Sequence, residues 1–167
     1  MAGDDSQIVR MRVKGLMLDP SSKTPIVLLQ EADSERFLPI WIGVFEANAI
    51  ALSLEGLEPP RPMTHDLLHT SLQRLGGEVE CVTISGLRDN TFFAEVLLRG
   101  PAGQHRIDSR PSDAIALALR AEAPIFVHRT VLDSAQAVEF SSDLSDEEKL
   151  KKWLEQAGDD DFGEYKM

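Results

Sequence analysis

Bulky apolar residues occupy alternate positions near the start of the chain. Val9, Met11 and Val13 alternate with polar neighbours, and Leu16 and Leu18 resume the alternation after Gly15. A period of two marks a half-buried strand, so Ile8 to Leu18 is predicted as one strand with a bulge at Gly15. Asp19-Pro20-Ser21-Ser22 reads as a turn, Thr24 to Gln30 as a continuous apolar strand, and Phe37 to Ile42 as a third strand. The first two connections are short enough for antiparallel hairpins. From Gly43 to Leu57 the period changes. Ala47, Ala49, Ile50, Ala51, Leu52 and Leu54 cover nearly every side of a helix, which predicts a central one. Pro59, Pro60 and Pro62 then exclude helix. Thr64 is predicted to cap a second helix running to about Leu75, ended by Gly76-Gly77, with Leu67, Leu68, Leu72 and Leu75 as a one-sided stripe.

The pattern then recurs. Val79 to Leu87, Thr91 to Arg99 and Gln104 to Asp108 read as strands, and Pro111 to Ala121 as a helix. Pro124 to Arg129 follows as a short strand, and a weakly apolar stretch ends near Phe140. The phrase A-I-A-L-S-L at Ala49 to Leu54 returns as A-I-A-L-A-L at Ala114 to Leu119, an offset of 65 that also pairs Asn48 with Asp113 and Ile42 with Ile107. This implies an α+β domain over residues 5–140, built from two related, internally duplicated βββα units. Residues 141–167 form an acidic tail, in which Ser145 is predicted to cap a short helix carrying Leu150, Trp153 and Leu154.

Composition narrows the function. The net charge is −11, and the tail contributes 9 acids against 4 lysines. An acidic body argues against tight, nonspecific nucleic-acid binding by a basic surface. It permits a local arginine site, or one where a divalent cation offsets carboxylates. The single cysteine, Cys81, has no partner in the chain and sits in a strand pattern, which fits a packed thiol in a reducing compartment. No secretion-type start and no membrane-spanning apolar run is present, so a cytoplasmic protein without membrane contact is expected.

Three phrases carry a family resemblance. They are L-P-I-W-I-G-V-F-E-A-N-A-I-A-L at 38–52, P-P-R-P-M-T-H-D-L-L at 59–68, and I-D-S-R-P-S-D-A-I-A-L-A-L-R at 107–120. On these the chain resembles the bifunctional nuclease (BFN) domain family over about residues 8 to 138. The resemblance implies two βββα-type repeats sharing one curved, largely antiparallel sheet with packed helices. It also implies homo-oligomers (a dimer or trimer is expected) and cleavage of both DNA and RNA. Plant members often carry a further C-terminal motif that this chain does not show. The resemblance does not supply the catalytic residues, which must be argued from chemistry.

Phosphodiester cleavage needs an activated water or hydroxyl, charge stabilisation at phosphorus, and help for the leaving oxygen. Arg61 and Arg110 each precede a proline at a helix start, and the guanidinium fork matches phosphate oxygens. His65 is a candidate proton carrier near neutral pH. Asp66 would orient it, bind a cation, or pair with Arg61. Asp108 and Asp113 flank Arg110, and one of Asp108 or Ser109 would cap the helix. Glu46, Asp108 and Asp113 are the candidate ligands for a divalent cation, magnesium or manganese by oxygen preference. Glu55 lies nine residues after Glu46, on the opposite helix face, and is read as structural. His65 and His69 share the spacing of a zinc helix but lack a third ligand at a telling distance. His105 and His128 lie in strand segments and are read as packed or exposed. Trp41, Phe45, Phe92, Phe93 and Phe126 sit in apolar segments and are read as core.

The reading is a metal-assisted nuclease of low sequence preference acting on DNA or RNA. Its rival is a non-catalytic oligomeric binding or assembly module that recognises a protein or a small anion. The first requires the two Arg-Pro segments to share a cleft. The second buries them at a subunit contact.

Overall fold

The computed structural model describes residues 7–135, 138–139 and 148. The predicted tail helix from Ser145 lies outside these residues apart from Glu148. Strands β1 (Ile8–Leu18), β2 (Pro25–Glu31) and β3 (Arg36–Trp41) form an antiparallel meander, followed by helix α1 (Val44–Leu54) and helix α2 (Thr64–Arg74). A second meander follows: β4 (Glu78–Arg88), β5 (Thr91–Gly100) and β6 (Gly103–Ser109), then helix α3 (Pro111–Ala121). Strand β7 (Ile125–His128), short helix α4 (Arg129–Ser134) and strand β8 (Val138–Glu139) complete the described chain.

One sheet holds all these strands in the order β6-β5-β4-β7-β1-β2-β3-β8. Strand β7 joins the two meanders, antiparallel to β1 and parallel to β4. The parallel pair is possible because α3 supplies the long crossover that parallel neighbours require. The bulge expected at Gly15 is present: the β1–β2 register slips between Val13 and Gly15. Each meander leads into a helix, but the 65-residue register is not that of the helices, which begin at Val44 and Pro111, 67 residues apart. The likeness of the two halves is therefore topological, and the sequence repeat is shifted against it.

Strand alternation sends Val9, Met11, Val27, Leu29, Val82, Ile84, Val96 and Val127 to one face, where they form a single core under α1 and α3. Helix α3 is the buried one. Ala114, Ile115, Ala116, Leu117 and Ala118 all lie in the core. Helix α1, expected to be central, buries only Ala47, Ala49 and Ile50. Phe45, expected in the core, is 89 % exposed, and Val44 and Leu54 are exposed beside it. An all-round apolar helix needs cover on every side, and among the described residues α1 is covered by α3 and by β1 and β2 of the sheet, which leaves the side of Phe45 open. The other aromatics expected in the core divide: Phe92 is buried, while Trp41, Phe93 and Phe126 are half-buried.

Helix α2 buries no residue, and Leu67, Leu68 and Leu75 of its stripe are exposed. Only Leu72 packs on the core. Thr64 is the first helical residue, not the cap, which is Met63. The Met63 N–H donates to the Asp66 carboxylate at 2.8 Å. The C-terminal stop is as predicted: Gly76 takes φ +76°, a left-handed value that favours glycine, and the Gly77 N–H returns to Leu72 O. With so little apolar burial, α2 depends on polar ties to α3. The Arg120 guanidinium binds Asp66 Oδ1 through Nε, and also holds the Ala116 and Ala49 carbonyls.

The Met63 N–H holds the Asp66 carboxyl below its ordinary value of 3.8; burial opposes this and Arg120 reinforces it. A depressed folded-state pKa gives stability that is present above the unfolded value and lost as pH falls through the folded one. The thermal midpoint, followed by circular dichroism, is therefore expected to drop as the pH goes below about 4. Asp66→Asn is expected to lower the midpoint at pH 7 and to flatten that acid dependence.

Candidate functional site

The first turns of α1, α2 and α3 are joined by side chains. Each helix carries an acid at its third position: Glu46, Asp66 and Asp113. That placement is a local consequence of the sequence, since a carboxylate in a first turn offsets the positive dipole end and the unpaired N–H groups. It also gathers negative charge, and the cations that answer it define the site.

Arg110, the cap residue of α3, bridges two of these acids. Its Nε donates to Asp113 Oδ2 at 2.7 Å and its Nη1 to Glu46 Oε1 at 3.0 Å. The other oxygen of Asp113 meets His65 Nε2 at 2.9 Å. A continuous chain of contacts therefore runs Glu46–Arg110–Asp113–His65 across three helices. Burial pushes the Asp113 carboxyl up, but hydrogen bonds from Arg110 and His65 outweigh it and hold the group below 3.8. Arg110 is raised, chiefly by its bond to Asp113 and further by Glu46. The His65 side chain is 13 % exposed and the Arg110 side chain 49 %, so the histidine is recessed and the guanidinium faces solvent. With Nε2 turned to Asp113, Nδ1 is the ring atom left for an incoming group, a tautomer set by the hydrogen bond.

The structure brings together four of the seven expected site residues in this chain of contacts, and a fifth, Asp66, beside it. Asp66 does not orient His65. It is held by the Met63 N–H and by Arg120, and Asp113 holds the histidine instead. Asp66 does not pair with Arg61 either. Arg61 is exposed on the proline linker and makes no hydrogen bond or ion pair among the described residues. The two Arg-Pro segments do meet, but through His65 and Asp113 rather than through their arginines.

Asp108 is not part of the cluster. On β6 it lies opposite Glu95, whereas its neighbour Ile107 lies opposite the core residue Val96. Paired residues share a face, so Asp108 is on the side of the sheet away from the helices. It shares a row there with Arg10, Phe126, Thr83 and Glu95. Neither Asp108 nor Ser109 caps α3 with its side chain; the cap residue is Arg110. Among the described residues no group of three or more His, Cys, Asp or Glu stands close enough to cage a metal ion. The expected three-carboxylate set is thus reduced to Glu46 and Asp113, which converge on one guanidinium.

An open cleft of about 410 Å³ lies at the other end of α1 and α3, lined by the end of α1, the proline linker, α2 and the last turn of α3, and none of the four cluster residues lines it. Asp66, His69 and Arg120 line it. Sequence reasoning missed Arg120, which ties α2 to α3, and Gly43, over which Glu46 folds. The acid three places past each helix cap was legible in the sequence, but nothing local pointed to the residue 54 positions from Asp66 that pairs with it.

The bifunctional nuclease domain matches residues 27–139 of this chain, which includes every residue of the cluster. An uncharacterized protein of Mycobacterium tuberculosis (strain H37Rv) is 40 % identical over 163 residues, covering 91 % of this chain and 96 % of that protein. Bifunctional nuclease 2 of Oryza sativa subsp. japonica is 28 % identical over 82 % of this chain and 44 % of its own length. Bifunctional nuclease 1 of Arabidopsis thaliana is 27 % identical over 69 % of this chain and 36 % of its own length. The chain thus spans less than half of these plant relatives. The extent of the domain match and the near full-length relative agree with the three phrases at 38–52, 59–68 and 107–120, and the chain belongs to the bifunctional nuclease domain family.

Proposed function

We propose that the protein hydrolyses phosphodiester bonds of DNA and RNA with low sequence preference, at the cluster joining the first turns of α1, α2 and α3. The observation that carries this reading is the contact chain Glu46–Arg110–Asp113–His65. It places a solvent-facing guanidinium, a recessed histidine and two carboxylates beside three helix N-termini, a setting suited to an anion. Family membership and the names of the plant relatives support a nuclease as the class of activity.

In this reading Arg110 holds the scissile phosphate, and Arg61 adds a second contact from the linker. His65 Nδ1 takes a proton from the attacking water. The water oxygen bonds to phosphorus, the ester bond breaks, and the proton is returned to the leaving oxygen. Asp113 keeps the ring in the productive tautomer. Glu46 and Asp113 would hold a magnesium or manganese ion. One or two carboxylates are the protein ligands such an ion commonly takes. When bound, it supplies charge stabilisation at phosphorus.

A feature of the helix layer supports homo-oligomers. Val44 and Phe45 on α1, Leu67 and Leu68 on α2, and the α2 caps Met63 and Leu75 are exposed apolar residues. An apolar surface of this kind is commonly covered by another chain. A cytoplasmic setting belongs to the same reading; among the described residues no helix is long and apolar enough to cross a membrane.

Cleavage of plasmid and of RNA by the purified protein, with and without EDTA, tests the reading. Arg110→Ala is expected to lower kcat/KM by roughly 10²–10³-fold and His65→Ala by about 10²–10⁴-fold, with the fold retained. Asp108→Asn, on the far sheet face, is expected to stay within about twofold of the parent. Equal cleavage by the parent, Arg110→Ala and His65→Ala would reject the site. For assembly, Phe45→Glu with Leu67→Glu is expected to reduce the sedimentation-derived mass while the circular dichroism spectrum is kept; an unchanged mass would reject this face as the contact.

A further inference from the structure

Gly43 has no conformational reason to be glycine. Its φ of −72° and ψ of 159° are extended values open to any residue. What it provides is space. A Cβ at this position would collide with Glu46 Oε2 and lie 3.0 Å from Glu46 Cδ. The Glu46 side chain is therefore folded back over the Gly43 backbone, into volume that any other residue would fill. From there its Oε1 accepts from Arg110 Nη1 at 3.0 Å.

The Arg110 guanidinium is thus divided. Asp113 takes Nε at 2.7 Å, Glu46 takes Nη1 at 3.0 Å, and Nη2 donates to nothing among the described residues. Bidentate recognition of a phosphate uses two adjacent N–H groups of the fork. The outward pair is Nη1 with Nη2, and Glu46 sits on half of it. Asp113 leaves that pair open and anchors the base of the fork. Charge points the same way. Two carboxylates face one guanidinium, so an arriving anion meets a negative excess for as long as Glu46 stays.

We propose that Glu46 is a built-in competitor for phosphate on Arg110, and that Gly43 is the positioning residue that lets it compete. Glu46 is the resting-state stand-in for the substrate anion and swings aside when phosphate binds. The proposal rests on the reading of Arg110 as the phosphate-binding group, and it deepens that reading by naming how the site is kept closed. It also divides the two duties of Glu46. Without a cation Glu46 hinders binding; with one, its carboxylate would serve as a ligand.

The test is the Kd of inorganic phosphate in low salt with EDTA present, measured by calorimetry on the full chain. Glu46→Gln and Gly43→Ala are each expected to lower the Kd by roughly three- to tenfold, the effect of removing one nearby like charge. Gly43→Ser is expected to match Gly43→Ala. Serine is a good helix cap, so this variant separates displacement of Glu46 from loss of capping. In a Glu46→Ala background, Gly43→Ala is expected to change nothing further, because no side chain is left to displace. Arg110→Ala should abolish binding throughout. A Kd unchanged or raised in Glu46→Gln or in Gly43→Ala, with the Arg110→Ala loss intact, overturns the proposal alone. Binding that ignores Arg110→Ala, or is absent from every variant, removes the proposal and the phosphate reading together.

Discussion

Three helix starts, each with a carboxylate at its third position, are joined on one side of a single sheet, and that arrangement has to be neutralised. Each acid suits its own helix, because it answers unpaired N–H groups and a positive dipole end. Together they repel. Two arginines from α3 resolve the conflict: Arg110 joins Glu46 to Asp113, and Arg120 joins Asp66 to the carbonyls of Ala116 and Ala49. Helix α2 buries no residue, so its place depends on this charge pairing more than on the hydrophobic effect. The same pairing that fixes the helix also builds the recess for His65. Structure and candidate chemistry therefore share one network.

That sharing explains why the site is selective about which polar residues take part. Helix α3 is buried along most of its length and is rigidly set on the sheet. Groups fixed by it, Arg110 and Asp113, gain orientation from the core itself. Glu46 and His65 come from helices with less burial, and each is tied to an α3 residue. A rigid strand-and-helix frame with more loosely held partners allows side-chain rearrangement without unfolding.

Much of the fold was legible because it follows from period. The alternation of β1 and the bulge beside Gly15, the end of α2 at Gly76-Gly77, and the span of α3 were all local patterns. What local pattern could not give was cover. Helix α1 is apolar all round, yet among the described residues no element lies on its outer side, and Phe45 is at the surface. Periodicity reports which side chains are apolar, not whether another element arrives to bury them. The two-residue difference between the sequence repeat and the helix starts has the same origin: a short matching phrase does not fix where a helix begins.

For the site, residue types were easier to read than partners. Glu46, His65, Arg110 and Asp113 were chosen for their chemistry and do come together. The choice failed where it depended on strand parity. Asp108 is two residues from Arg110 in sequence, but it faces away from the helices because β6 alternates. It failed again for Asp66, whose cation is Arg120, 54 residues away and invisible to local reasoning. The most direct measurement of the central claim is a two-dimensional NMR map of the protein titrated with a cleavage-resistant phosphorothioate oligonucleotide. The account predicts that shifts concentrate at the Arg110 side-chain Nε–H and the first-turn amides of α1, α2 and α3. Shifts confined to the far sheet face around Arg10, Glu95 and Asp108, with the Arg110 signal unmoved, would contradict it.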